Sequence, residues 1–565
     1  MSNKLNSKVR KRRERTEANI IHTEVIRKVI EYLLTVAMVG VCVVVPLYAR
    51  DGYHQIGNAK FEAYRSIMIV SFSVLSVLTA VLFVCRFLTY KRGHGSDLQL
   101  TKNRWSLSGT EYVRKSKNMP VHRPLSVTDI FVLAYLVLTG ISVISGGFYE
   151  DALWGSFGWN MGFASQLSFV MLYLFLSRFG KHWRVILAAL GMAAAVVFCI
   201  GILHRLMIDP IGFYNGLTDV QKAQFLSTLG QATWYASFLI LLLPAGMGVF
   251  LYTESGIRRS ISGVYMLIGF CTLVTQNSDS AYFALAGMFI VFFVVSCEKR
   301  ETMCRFMAAV TIFFAAGKVM GLLMRIKSNP ELEPDPVTEL MWNSGLTWGL
   351  LAICLLVTLA LYKFRQYPVS IMCRIRWGVT GIMVGLVFAA VAVICLQNRE
   401  MLPGSVADKV AEISYLNWND EWGNGRGRIW EFACKVISEE SLPHRVFGVG
   451  PDCFNSYVTA YHGEETELLW GDKQLTNVHN EWLNILINGG ILGAMAYLGI
   501  FVSAVYRFLR GRTKTFLLTG IAAAVVAYMC YNFFCYQQVL CTPFVFILMG
   551  TGEYILREQN RSSTA

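Results

Sequence analysis

Three short motifs lie in one polar stretch of the chain: GNGRGRIW (423–430), GVGP (448–451) and VHNEWLNILINGGILG (478–493). Apolar runs flank this stretch on both sides, and reading it as a loop between membrane spans decides the fold. The 565 residues are 54% apolar and only 16% charged, with mean hydropathy +0.46, which is too apolar for an ordinary soluble domain. A helix needs about 20 mainly apolar residues to cross a bilayer. The sequence holds about 14 such runs, from 29–49 to 538–556. They predict an all-α, polytopic integral membrane protein.

Lys and Arg set the orientation. With the N-terminal tail placed in the cytoplasm, alternation puts most of the 51 Lys and Arg inside, and every short inner connection is basic. Outer segments such as SNPELEPDPVTEL (328–340) are acidic or neutral. The expected organisation is a basic cytoplasmic tail (1–28), a first bundle of about 11 helices (29–396), a large extracytoplasmic loop (397–478), about three further helices (479–556) and a second cytoplasmic tail (557–565). The +14 charge is then topological. The run KVRKRRER (8–15) reads as membrane anchoring beside anionic lipid rather than as a nucleic-acid site, in a tail that is poorly ordered or lies on the inner leaflet. The first apolar run lacks a small-x-small cleavage site and reads as a retained span.

The 14 cysteines fall mostly within spans, and no paired CxxC spacing suggests a metal site, so no cofactor is expected. Trp154 and Trp159, in the Gly- and Trp-rich outer loop at 148–163, read as headgroup anchors. Gln231 stands at the mouth of a span in TLGQATWYASF, where it could line a substrate groove or cap the helix. Asp279 reads as the cap of the helix that follows it. Lys318 is the clear ionisable residue inside a span, and so a candidate for substrate binding, although its side chain could instead snorkel to the outer surface.

A loop as long as the one after residue 396 usually has a purpose. Ile429, Trp430, Ala433, Val436 and Ile437 recur at helical spacing, so a helix should start after the Gly-rich turn. Arg426 and Arg428 would then stand at its N-terminus, where guanidinium forks and the helix dipole both favour an anion such as a phosphate. The competing reading pairs them with Asp420 or Glu421. Gly450, in GVGP, permits close backbone approach to a ligand or another helix. His479 and Asn480 precede an apolar helix carrying Gly489, Gly490 and Gly493. A neutral imidazole at that water boundary can take a proton from a sugar hydroxyl.

The pattern H-N-x9-G-x-x-G at His479, Asn480, Gly490 and Gly493 resembles the signature of the O-antigen ligase and O-antigen polymerase superfamily. GRGRIW…GVGP (425–451) resembles that family's outer-loop pattern, and STLGQATWYASFLILLLP an earlier segment. The likeness covers about residues 230–509. It implies metal-independent glycosyl transfer, in cell-surface polysaccharide biosynthesis, from a lipid-diphosphate-linked glycan to an acceptor hydroxyl. The setting implied is the outer face of a bacterial cytoplasmic membrane, with polysaccharide assembly proteins as candidate partners. Carried over residue by residue, His479 is the base or acceptor-positioning group and Arg428 the group that neutralises the diphosphate, with Arg426 behind it. This chain departs from the family at Ser278-Asp279-Ser280, where many relatives have Ser-Arg. Two other readings fit the same residues: a transporter or flippase of lipid-linked glycans, and a catalytically inactive glycan-binding relative.

Overall fold

The computed structural model describes residues 2–94, 125–156, 158–364, 368–511 and 516–564. Among them regular strand is limited to one hairpin, in which Phe225–Leu226 pairs antiparallel with Gly230–Gln231. The rest is a bundle of helices joined by turns. Each apolar run predicted from the sequence coincides with a helix. Nine of these helices are long and apolar enough to cross a membrane, and Phe163–Phe179, Ser280–Ser296 and Leu517–Tyr531 are shorter apolar helices. The expected spans are thus present as helices, but fewer of them reach full bilayer length. The tail expected to be poorly ordered continues the first helix, Ser2–Leu47. Most of the basic connection at 86–126, and the side chains of the basic tail, lie outside the described residues.

The centre of the bundle is Ala232–Tyr252 packed against Phe516–Tyr531. The first of these is apolar on all sides, so every face must be covered, and Phe238 to Leu243 are at most 2% exposed. A Cβ on Gly520 would come within 3.2 Å of the Pro244 carbonyl, so glycine lets these two helices approach closely. Val369–Asn398 is as apolar but has no buried residue, as a helix facing lipid would. Cys434 and Cys453 form no disulfide with each other; both are free thiols.

Two polar clusters mark opposite ends of the bundle. At one end Asp129 accepts from Tyr173, Arg178, Arg557 and the Ser126 backbone, while Glu553 accepts from Arg507 and Arg557. The other end gathers the loops at 148–163, 399–480 and 532–541.

Candidate active site

His479, Asn480 and Glu481 divide three tasks at the entry of the helix Glu481–Arg510. The Asn480 Oδ1 accepts from the backbone N–H of Trp482 (3.0 Å) and Leu483 (3.2 Å), filling the cap that a helix start requires. The Glu481 carboxyl points inward, where it accepts from the hydroxyls of Tyr497 and Tyr528 and from Asn532 Nδ2. Its backbone N–H donates to the Asn532 carbonyl at 2.9 Å. His479 is left facing the outer loop. Its backbone is left-handed (φ 52°), a conformation that a non-glycine residue holds only when its surroundings enforce it. The enforcing contacts are Asn477 Oδ1, which accepts the His479 N–H at 2.9 Å, and Trp430 Nε1, which donates to the Val478 carbonyl at 3.2 Å. The imidazole packs edge-on against Tyr536, with centroids 5.2 Å apart.

One turn-pair further down, the same helix breaks at Gly490 (φ 66°, ψ −178°). The carbonyls of Ile487 and Asn488 accept instead from the N–H groups of Val449 (3.1 Å) and Gly450 (3.0 Å). Gly450 N–H also bonds the Ser142 hydroxyl at 3.0 Å. A Cβ on Gly448 would lie 2.2 Å from the Asn488 carbonyl oxygen, and one on Gly490 2.4 Å from backbone of Val446. The glycines of GVGP and of the helix therefore serve one backbone-to-backbone suture, and Gly450 sits within it.

Next to the suture, the Asp452 carboxylate accepts from the N–H groups of Ser156 (2.8 Å) and Met161 (2.9 Å), and burial pushes its pKa up to about 7. This ties in the outer loop at 148–163 and turns Trp159 inward. Trp159 was expected at the headgroups; its ring instead meets Tyr536 (4.5 Å) and Trp234 (6.3 Å). Trp154, 60% exposed, is the tryptophan of that loop free to face lipid headgroups.

The two arginines of GRGR diverge. Gly423, Asn424 and Gly425 are all left-handed, and the regular turns of Trp422–Glu439 follow them, as the spacing predicted. Arg428 is held by Asp420 (3.0 Å) and Glu421 (3.6 Å) and donates to the Leu469 carbonyl at 3.3 Å. Arg426 donates from Nη1 to the Gly423 carbonyl at 2.6 Å, while its buried Nε has no partner among the described residues. Its charge reaches His479, Cys535 and Tyr536. Burial first, and Arg426 second, pull the His479 pKa down to about 4, so the ring is neutral at pH 7.

The turn at 278–280 has been rewired. Asp279 was expected to cap its helix, but its side chain makes no cap bond and accepts from the Tyr415 hydroxyl at 2.6 Å. Asp335 lies beside it, its pKa raised to about 7 by burial and by the hydrogen bond to Asp279. Ser278 reaches Tyr531, on the flank of the Arg426 site. Lys318 is 3% exposed and donates to the carbonyls of Trp342 (3.3 Å) and Ser344 (2.8 Å). Arg325 bonds Asn343 at 2.8 Å. Gln231 stands exposed at the mouth of Ala232–Tyr252 without making a cap bond.

Sequence reasoning missed Tyr536 and Trp234. Trp234 Nε1 donates to the Tyr536 hydroxyl at 3.1 Å, and together they form the floor beneath His479. The available signal was CYQQ (535–538), a polar cluster inside an otherwise apolar stretch. There the chain leaves the helix at Tyr531 and resumes it at Thr542.

Residues 337–498 match the family model described as O-antigen ligase. That segment is similar to an O-antigen ligase domain. The matched segment contains the whole polar stretch at 397–478, both arginines, GVGP, His479 and the Gly490 break. It places the protein among multi-pass membrane proteins that handle glycan in polysaccharide biosynthesis. The O-antigen ligase match begins after Gln231, Asp279 and Lys318, which lie in the preceding bundle. A search of curated proteins gives no match.

Proposed function

We propose that this protein transfers a lipid-diphosphate-linked glycan to an acceptor hydroxyl at the outer face of a bacterial cytoplasmic membrane, with both termini in the cytoplasm. The observation that carries this reading is the half-buried His479, held left-handed and packed on Tyr536, together with an Arg426 whose buried Nε has no partner among the described residues. The acceptor oxygen attacks the anomeric carbon, the bond from that carbon to the diphosphate oxygen breaks, and the acceptor proton passes to His479 Nδ1 or Nε2. A diphosphate is a good leaving group, so the step needs charge stabilisation more than a general acid. Arg426 supplies it, its unpartnered Nε being free to donate to a phosphate oxygen. Arg428 holds the helix start through Asp420 and Glu421 and reaches the donor less directly. With arginine in this role the reaction needs no metal, and turnover should survive a chelator.

Asn480 and Gly450 support the site through the cap and the suture, while Lys318 sits at the Pro336–Asn343 turn. Asp279 faces Tyr415, so the diphosphate is left to Arg426 on this side. Two experiments test the reading. His479→Ala should insert and fold but transfer no glycan; normal surface glycan in that mutant would sink the assignment. In a deletion strain, single lipid-linked units would identify a lost polymerase and accumulated long chains a lost ligase. An unchanged glycan profile would remove the function altogether.

A further inference from the structure

A second cleft opens beside the candidate active site, between the connection at 51–58 and the hairpin at 225–231. Its volume of about 340 Å³ lies within the range of about 300–1,000 Å³ in which small-molecule sites fall. Among the described residues its lining holds no Asp, Glu, Lys, Arg or His. It is made of aromatic rings, from Tyr53, Phe225 and Trp234, and of carboxamides, from Gln55, Gln224 and Gln231.

The walls are fixed. Tyr53 donates to the Ser227 carbonyl at 2.7 Å and stacks on Phe225 with centroids 4.9 Å apart. Thr228 bonds the Pro46 carbonyl at 2.7 Å, clamping the hairpin to the end of the first span. A Cβ on Gly57 would meet the Trp234 ring at 3.0 Å, so glycine lets the indole close one side. Gln55 is held with φ 45°, a left-handed conformation rare for a side-chain-bearing residue. The three glutamines are exposed, and their carboxamides bond to no other described residue. Asn58, also in the lining, is tied to Asn160 at 3.2 Å.

We propose that this cleft is a subsite for neutral sugar units of the glycan. An uncharged lining offers nothing to a diphosphate, whose place is at Arg426. Carboxamides both donate and accept, as vicinal hydroxyls require, and aromatic faces suit the apolar face of a pyranose ring. Trp234 is the wall the two sites share: it lines the cleft and donates to Tyr536, which packs on His479. A glycan whose reacting end is at His479 therefore runs its next units past Trp234 into the cleft. The proposal rests on glycosyl transfer for its biological meaning, and its test is chosen to stand apart from turnover.

The test uses the full chain in nanodiscs and a panel of neutral hexose and N-acetylhexosamine oligosaccharides, with binding followed by saturation-transfer NMR. Gln55→Ala, Gln224→Ala and Gln231→Ala combined should weaken binding by about tenfold or more, through the loss of two or three hydrogen bonds. All three glutamines are exposed, so the triple variant should fold, and its melting temperature checks this. Unchanged binding in the triple variant, or no binding of any panel member to the parent, overturns the subsite. In turnover assays, a raised KM for the acceptor assigns the cleft to the acceptor glycan, and a raised KM for the donor assigns it to the donor; neither rising overturns it. A parent protein that binds the panel but never turns over would sink glycosyl transfer and leave the subsite standing.

Discussion

The bundle carries a buried polar cluster at each end, and the two are built on opposite principles. At the Asp129–Glu553 end every carboxylate oxygen is taken by an arginine, a tyrosine or a backbone N–H, across four helices. At the His479 end the charges are left available: Arg426 has an unpartnered buried Nε, and His479 is neutral because burial and a like charge keep it so. A cluster whose carboxylates are all satisfied from within holds helices together, even with Arg557 Nη1 unpartnered among the described residues, whereas an arginine left without a carboxylate beside a neutral histidine is poised for a ligand.

Breaking the comparison at its satisfied end should give the largest effect. Asp129→Ala removes the carboxylate that Arg178 and Arg557 share and leaves Arg557 to Glu553 alone, and breaking a buried pair costs roughly 3–5 kcal/mol. The protein should lose most of its thermal stability in detergent, and an unchanged melting temperature would show the cluster to be idle. At the unsatisfied end, Arg426→Ala should lower turnover by about 10²–10³, the usual loss when one transition-state donor is removed, with little change in melting temperature. Arg428→Ala sharpens the contrast: its ion pairs are partly exposed, so stability should fall by about 1 kcal/mol or less and turnover by less than in Arg426→Ala. Equal losses in kcat/KM would mean both arginines contact the donor.

The smallest effect is on pH dependence. Asp335 has a folded pKa of about 7, above its usual carboxylate value, so the folded state holds its proton more tightly. The stability this gives is complete below the usual carboxylate range and is lost as pH rises through about 7. Asp452 and Glu440, also raised to about 7, act in the same direction. His479 works the other way, costing stability as pH falls from the usual imidazole range toward about 4. Melting temperature should therefore decline between about pH 5 and 8, and Asp335→Asn, which keeps the helix cap, should remove part of that slope. An Asn variant with the parent's slope would separate the Asp279–Asp335 pair from the titration.

The sequence by itself determined the class of fold, because about 20 consecutive apolar residues have one stable solution in a bilayer, and each such run is a helix. It also determined the start of Trp422–Glu439, since the spacing of Ile429, Trp430, Ala433 and Val436 is local information. His479 was legible as a motif residue and as the last polar group before a span. What a neighbour far along the chain does to a side chain was not legible. Arg426 and Arg428 are chemically the same and two positions apart, and only the left-handed turn at 423–425 and the nearby acids decide which one's charge is felt at His479. Trp159 reads as a surface anchor until Asp452, nearly 300 residues later, accepts Ser156 and Met161 and draws its loop inward. Gly490 looks like a packing glycine until GVGP is seen hydrogen-bonded to the carbonyls freed by its break. Periodicity and apolarity act between near neighbours and can be read in order along the chain. Pairing of charges and closure of a site depend on residues that meet only once the helices have packed, and the tertiary structure decided those.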